Sequence, residues 1–238
     1  MLTAASVCQC QRVYICGLIS DLTKMLKIKK FIFNPFQVNT YLLYDETGEC
    51  VIIDAACSNG DEELAISRYL ETNQLKPVML LSTHTHIDHI LGNPYIADRY
   101  QLKLAAHSDS RFYLGIAQQS AAAYGLPLSR VEPVAVELQD GDILKVGNSK
   151  LKVLHTPGHA NGSVCFYAED EGFVVVGDVL FYQSIGRTDL PGGDYDQLKQ
   201  SIWSKLFNLS EMTVVFPGHG PETTIGSEKI NNPFVAIG

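Results

Sequence analysis

The sequence predicts an α+β fold in which two sheets pack face to face and helices cover them outside. Short apolar runs alternate with helical stretches from residue 25 to residue 238. Runs that follow one another directly come first, and helices separate the later ones. Several runs are apolar throughout, as in Phe173-Val174-Val175-Val176, which suits strands buried on both faces.

Taken in order, the first strand is expected at 27–33, where Leu-Lys-Ile-Lys-Lys-Phe-Ile-Phe follows Met25. Strands at 41–45 and 50–54 come next, the latter closing on Val51-Ile52-Ile53-Asp54. A helix is expected at 61–72, and then a strand at 78–83 that opens with Val78-Met79-Leu80-Leu81. Asn93 and Pro94 read as an N-cap with proline at the first helical position, which begins a helix over 93–100. A strand at 102–106, a helix at 109–124 and strands at 143–146, 150–155, 163–168 and 172–177 come after it. The last helix is expected at 195–208, where Leu198, Ile202 and Leu206 recur every fourth residue as a core stripe. A final strand at 212–216 completes the set. No repeat, low-complexity segment or linker divides residues 25–238, which read as a single domain.

Composition bounds the function classes. The chain has 238 residues, 46% hydrophobic and 18% charged, as a soluble globular protein does. No run approaches the roughly 18 apolar residues of a membrane span. A net charge of −8 argues against a protein that holds nucleic acid by its backbone charge. The expected partner is a small molecule, with neither nucleic acid nor membrane, and composition leaves the oligomeric state open. Six cysteines form no disulfide framework. Cys8, Cys10 and Cys16 match no usual zinc spacing and read, with Cys50, Cys57 and Cys165, as reduced thiols of a cytoplasmic protein. Residues 1–24 share little with the rest of the chain; they are expected to be an N-terminal extension, disordered or not native, with Met25 as the natural start.

The chemistry concentrates in Thr83-His84-Thr85-His86-Ile87-Asp88-His89, just after an apolar run. In extended backbone, residues two apart point the same way, so His84 and His86 are able to share a metal. Asp88 and His89 fall where a turn begins and reach toward a second ion. Three further ligand types each come directly after a strand: His159 after 150–155, Asp178 after 172–176 and His219 after 212–216. Four strand ends presenting ligands toward one edge predict a binuclear site at the rim of a sheet sandwich. His107 and His155 are expected to stay out of direct metal contact, in supporting or surface roles. Asp54 closes a buried run and is expected to orient a ligand from behind, because a carboxylate there needs a histidine or metal partner.

These segments resemble the metallo-β-lactamase superfamily and, within it, the type II glyoxalase-like hydrolases. The resemblance runs from about Lys27 to Phe234. It rests on His84-x-His86-x-Asp88-His89, Thr156-Pro157-Gly158-His159, Gly177-Asp178-Val179-Leu180-Phe181, Ile185-Gly186-Arg187-Thr188-Asp189 and Pro217-Gly218-His219-Gly220. It implies a four-layer αβ/βα sandwich of two mixed β-sheets with the metal site at one edge. It also implies that His84, His86 and His159 hold one metal and Asp88, His89 and His219 the other, with Asp178 bridging. True β-lactamases of this fold vary at the position of His89 or lack the carboxylate of Asp178, so the presence of both disfavours antibiotic hydrolysis. RNA-processing relatives need an added domain.

The implied activity is hydrolysis of a thioester by a metal-bridged hydroxide, with Asp88 and Asp178 as catalytic carboxylates. Two divalent ions are implied; His and Asp ligands favour zinc, and iron or manganese also suits them. Persulfide dioxygenases share the Gly-Arg-Thr-Asp segment but use a single iron, and a vestigial metal-binding protein is the non-enzyme alternative. The resemblance also has departures. Type II glyoxalases carry a C-terminal helical domain that helps hold glutathione, whereas this chain ends just after Asn232-Pro233-Phe234. Where they have a substrate-binding lysine this chain has Arg187, and Asp189 stands where a tyrosine helps hold glutathione. Arg187 is therefore expected either to grip a substrate carboxylate or to pair with Asp189 or Asp194.

Overall fold

The structure, a computed structural model, describes residues 25–237. The extension expected at 1–24 lies outside them. Six strands form the first sheet in sequence order: β1 (Lys27–Phe33), β2 (Val38–Tyr44), β3 (Glu49–Ile53), β4 (Lys76–Leu81), β5 (Leu104–His107) and β6 (Val134–Leu138). β1, β2 and β3 pair antiparallel through short turns. The pairings from β3 to β6 are parallel, so each needs a crossover, supplied by α1 (Gly60–Thr72), α2 (Asn93–Tyr100) and α3 (Arg111–Tyr124).

The second sheet begins with the antiparallel run β7 (Ile143–Val146), β8 (Ser149–His155), β9 (Val164–Ala168) and β10 (Phe173–Gly177). β13 (Val214–Pro217) joins β10 in parallel after a crossover through α4 (Tyr195–Ser201) and a π-helical turn over Ile202–Leu206. A short hairpin of β11 (Leu180–Phe181) and β12 (Ser184–Ile185) leaves β10, and β14 (Thr223–Thr224) leads into α5 (Ile225–Asn231). Both sheets are mixed.

Alternation along the strands sorts the apolar runs into three interfaces. Leu43, Val51 and Ile53 meet Val153, Phe166 and Val175 between the sheets. Their neighbours Leu42 and Ile52 turn the other way, against Ile66 and Leu70 of α1, Ile96 of α2 and Leu114 of α3. On the far side Val174 and Val176 pack under Leu198, Ile202 and Leu206. Three interfaces make four layers, the αβ/βα sandwich. A strand between two such interfaces must be apolar at every position, hence the unbroken valines of β10, buried throughout.

Several local expectations change. Asn93 is not an N-cap: Gly92 holds that position, and no side chain caps the helix. Gly92 N–H is drawn to the Ala55 carbonyl at 2.8 Å, and a Cβ on Gly92 would collide with Cys57 Sγ, so the chain enters α2 one residue early. The stripe on the last helix holds, but its second half winds as a π turn. β6, the β11–β12 hairpin, β14 and α5 are additions to the expected set. β6 is an edge strand with Ala135, Val136 and Glu137 all exposed, and it therefore lacks a core-facing pattern. Among the described residues, no helix is long and apolar enough to cross a membrane.

Candidate metal centre

The ends of β3, β4, β8, β10 and β13 reach one edge of the sandwich, and each delivers one part of a cluster. Asp54 follows β3, His84 to His89 follow β4, His159 follows β8, Asp178 follows β10 and His219 follows β13. His86 is extended (φ −61°, ψ 151°), and a single 3₁₀ turn over Ile87–His89 then presents Asp88 and His89. His219 is tied to the rim of the first sheet by a bridge to Val38.

Two triads result. The ligand atoms of His84, His86 and His159 lie within 4.8 Å of one another, as do those of Asp88, His89 and His219. His86 Nδ1 is 2.9 Å from His159 Nε2. His219 Nε2 is 3.3 Å from both His89 Nε2 and Asp88 Oδ2. Asp178 lies between the triads: its Oδ2 is 3.7 Å from His159 Nε2 and 3.4 Å from His219 Nε2, and its Oδ1 is 3.4 Å from His89 Nε2.

The ring nitrogens behind the cluster set the tautomers. A carbonyl oxygen only accepts, so His159 Nδ1 donates to Arg187 O at 2.7 Å and His219 Nδ1 to Phe36 O at 2.9 Å. His89 Nδ1 donates to Asp54 Oδ2 at 3.1 Å. Thr83 spends its own hydroxyl hydrogen on Asp54 Oδ2, so its oxygen is left to accept from His84 Nδ1 at 3.1 Å. The Nε2 atoms of all four imidazoles are thereby turned inward, the arrangement that orients metal ligands. Sequence reading found Asp54 but not Thr83 or the carbonyls of Phe36 and Arg187. Backbone acceptors leave no residue-type signal.

Charge divides the same way. Burial, then the neighbouring imidazoles, hold His84 far below the ordinary histidine range and His86 down to about 3, so both are neutral. Burial also works against a charge on His89 and His219, but the carboxylates of Asp178 and Asp88 outweigh it. They raise His89 well above the ordinary range and His219 to about 9. Against burial, those imidazolium groups hold Asp178 well below the usual carboxylate range, and Asp88 below it too. His84 Nε2 and Asp178 Oδ1 are buried without a hydrogen-bond partner. An inward-facing imidazole lone pair and a carboxylate oxygen left unbonded fit divalent metal. Two glycines make the close packing possible: a Cβ on Gly218 would strike Asp178 Oδ1, and one on Gly177, which sits at φ +52°, would strike Thr83 Oγ1.

Arg187 lines the adjoining cavity of about 510 Å³, but its guanidinium is engaged by Asp189 through two bonds of 2.7 Å. Asp194 instead caps α4, accepting from Gln197 N–H. His107 and His155 stack at 4.1 Å beside Asp109 as a separate group, with His155 Nε2 bonded to the Asn161 carbonyl.

The family model described as metallo-beta-lactamase superfamily matches residues 33–219. The hydroxyacylglutathione hydrolase GloC of Haemophilus influenzae is 35% identical over 202 residues, covering 84% of this chain and 93% of that protein. Among solved structures, the BLEG-1 B3 metallo-beta-lactamase superposes with a TM-score of 0.80 at 38% identity, covering 88% of this chain and 99% of its own. TTHA1623 in a di-iron-bound form gives a TM-score of 0.76 at 35% identity, covering 87% and 99%.

Proposed function

Because the chain belongs to the metallo-β-lactamase superfamily, we propose that it is a two-metal hydrolase that cleaves a thioester, as type II glyoxalases do. One observation carries this reading: the Asp178 carboxylate faces both triads, Oδ2 toward His159 and His219 and Oδ1 toward His89. His84, His86 and His159 would hold one ion, Asp88, His89 and His219 the other, with Asp178 shared. Divalent ions there would supply an activated water, its pKa lowered toward neutral, and positive charge for the carbonyl oxygen.

The chain's own residues do the rest. Asp54, Thr83 and the carbonyls of Phe36 and Arg187 hold four imidazoles with Nε2 turned toward the cluster. Asp88 lines the cavity, is ionised at neutral pH and accepts a proton at its carboxylate. A thiolate leaves without protonation, so no separate general acid is required. The likeness to GloC supports thioester cleavage, and the mixed nitrogen and oxygen set is proposed to take zinc, with iron or manganese also suited to it.

Metal analysis coupled to a thioester panel tests the reading. S-lactoylglutathione, acyl-CoA and simpler thioesters are expected to release thiol at a rate that tracks metal content. Full activity after the metals are stripped overturns it. Oxygen uptake with glutathione persulfide and one iron per chain would select the dioxygenase alternative, for which the Gly186-Arg187-Thr188-Asp189 segment speaks. A β-lactam belongs in the same panel because of the likeness to BLEG-1.

A further inference from the structure

Two faces of α3 do different work. Leu114, Ala117 and Ala121 enter the core under the first sheet. Tyr113, Ile116, Ser120 and Tyr124, spaced as one helical stripe, line the cavity beside the metal cluster. Across the mouth Phe36, from the turn between β1 and β2, meets Tyr124 edge-to-face at 5.6 Å, although the two rings are 40% and 56% exposed. Large aromatics held together in the open at a cavity mouth mark a surface for an apolar ligand group. Gln119 and Ser120 add neutral hydrogen-bonding groups to the same wall.

The charge of the wall points the same way. Among the described residues that line the cavity, Arg187 is the single lysine or arginine. Asp189 takes the Nε–Nη2 edge of its guanidinium through two hydrogen bonds, and this pairing offsets the charge of the one lysine or arginine on the outer wall. A carrier with carboxylates at both ends, such as glutathione, meets no lysine or arginine among the described lining residues other than the one paired with Asp189.

Resting on the thioester reading, we infer that the cavity selects thioesters uncharged on both arms, with an apolar acyl group against Phe36, Ile116 and Tyr124. Asp189 is the specificity-determining residue, because it withholds Arg187 from anionic carriers.

The test pairs two non-hydrolysable thioethers with the same alkyl chain, S-hexyl-N-acetylcysteamine and S-hexylglutathione. Their dissociation constants are measured by calorimetry on the whole chain, with and without zinc. The neutral ligand is expected to bind about tenfold more tightly. Asp189→Asn is expected to narrow that ratio about threefold, the scale of an exposed bidentate pair. Ile116→Ser is expected to weaken the neutral ligand about threefold or more, as loss of apolar contact does. Equal affinities in the natural protein, or a ratio that Asp189→Asn leaves unchanged in a folded variant, overturn the inference. Hydrolysis of the matching thioesters by metal-loaded protein is read separately. If neither is cleaved the thioester reading fails, while the two affinities still decide the selectivity.

Discussion

The Nδ1–H of His89 meets Oδ2 of Asp54 at 3.1 Å, with the two side chains 0% and 1% exposed. The same carboxylate takes the Thr83 N–H at 2.7 Å and the Thr83 hydroxyl at 2.6 Å, so three donors converge on a residue held at φ +51°. Asparagine tolerates that backbone but offers a single side-chain oxygen. Asp54→Asn is therefore expected to lower zinc affinity about 10–100-fold, as loss of a partner behind a metal ligand does. Competition against a chromogenic chelator reads this, and unchanged affinity in a folded variant would remove Asp54 from its orienting role.

Asp178 is the group the two triads share. Asp178→Ala and, separately, His86→Ala are expected to abolish thiol release and to reduce bound metal to about one equivalent or less, because each removes a ligand from the cluster. Elemental analysis beside circular dichroism separates loss of metal from loss of fold. A variant that keeps two equivalents of metal contradicts the assignment.

Gly218 allows Asp178 and His89 to close up. In Gly218→Ala the new methyl group meets Asp178 Oδ1, with His89 Cε1 only 2.8 Å away. The expected cost is about 1–3 kcal/mol from overpacking, read as a lower melting temperature. Metal affinity should fall with it, since the methyl pushes two ligands apart. A Tm within error of the natural protein would show that the rim has room.

Far from the metal edge, Asp45 joins the two sheets. Its carboxylate accepts from Thr47 in the turn after β2 and from the N–H groups of Asn148, between β7 and β8, and Ser149, the first residue of β8. Burial opposes the charge, but these hydrogen bonds prevail and hold its pKa below the ordinary 3.8. Because the folded value lies below the unfolded one, the stabilisation is present above about pH 4 and is lost as pH falls through the folded value. Asp45→Asn should cost about 1–3 kcal/mol at neutral pH, for the N–H groups left facing an amide. Denaturant curves at pH 7 and pH 3 should show the gap closing in acid; a constant gap would mean that the charge contributes nothing.

Much of the architecture could be read from apolar runs. β10, buried at every position, announces a strand between two layers, and Leu198, Ile202 and Leu206 announce the helix that covers it. β6 and α5 could not be read this way, because an edge strand with three exposed residues, or a helix with two buried ones, carries little hydrophobic pattern. In the cluster, His84, His86, Asp88 and His89 were legible because they lie within one short segment after a strand. Phe36 and the α3 stripe were not, since a wall residue needs no chemistry of its own to be placed by folding.

The sequence alone determined which side chains are available and that each follows a strand, because direction along an extended chain is a local property with a period of two. Tertiary structure alone decided which of them meet. His86 faces His159 across 73 residues, His89 faces His219 across 130, and His219 is anchored to Phe36 across 183. It also pairs Arg187 with Asp189 and not with Asp194. These relationships depend on how two sheets stack and where their edges align, and no local spacing records that.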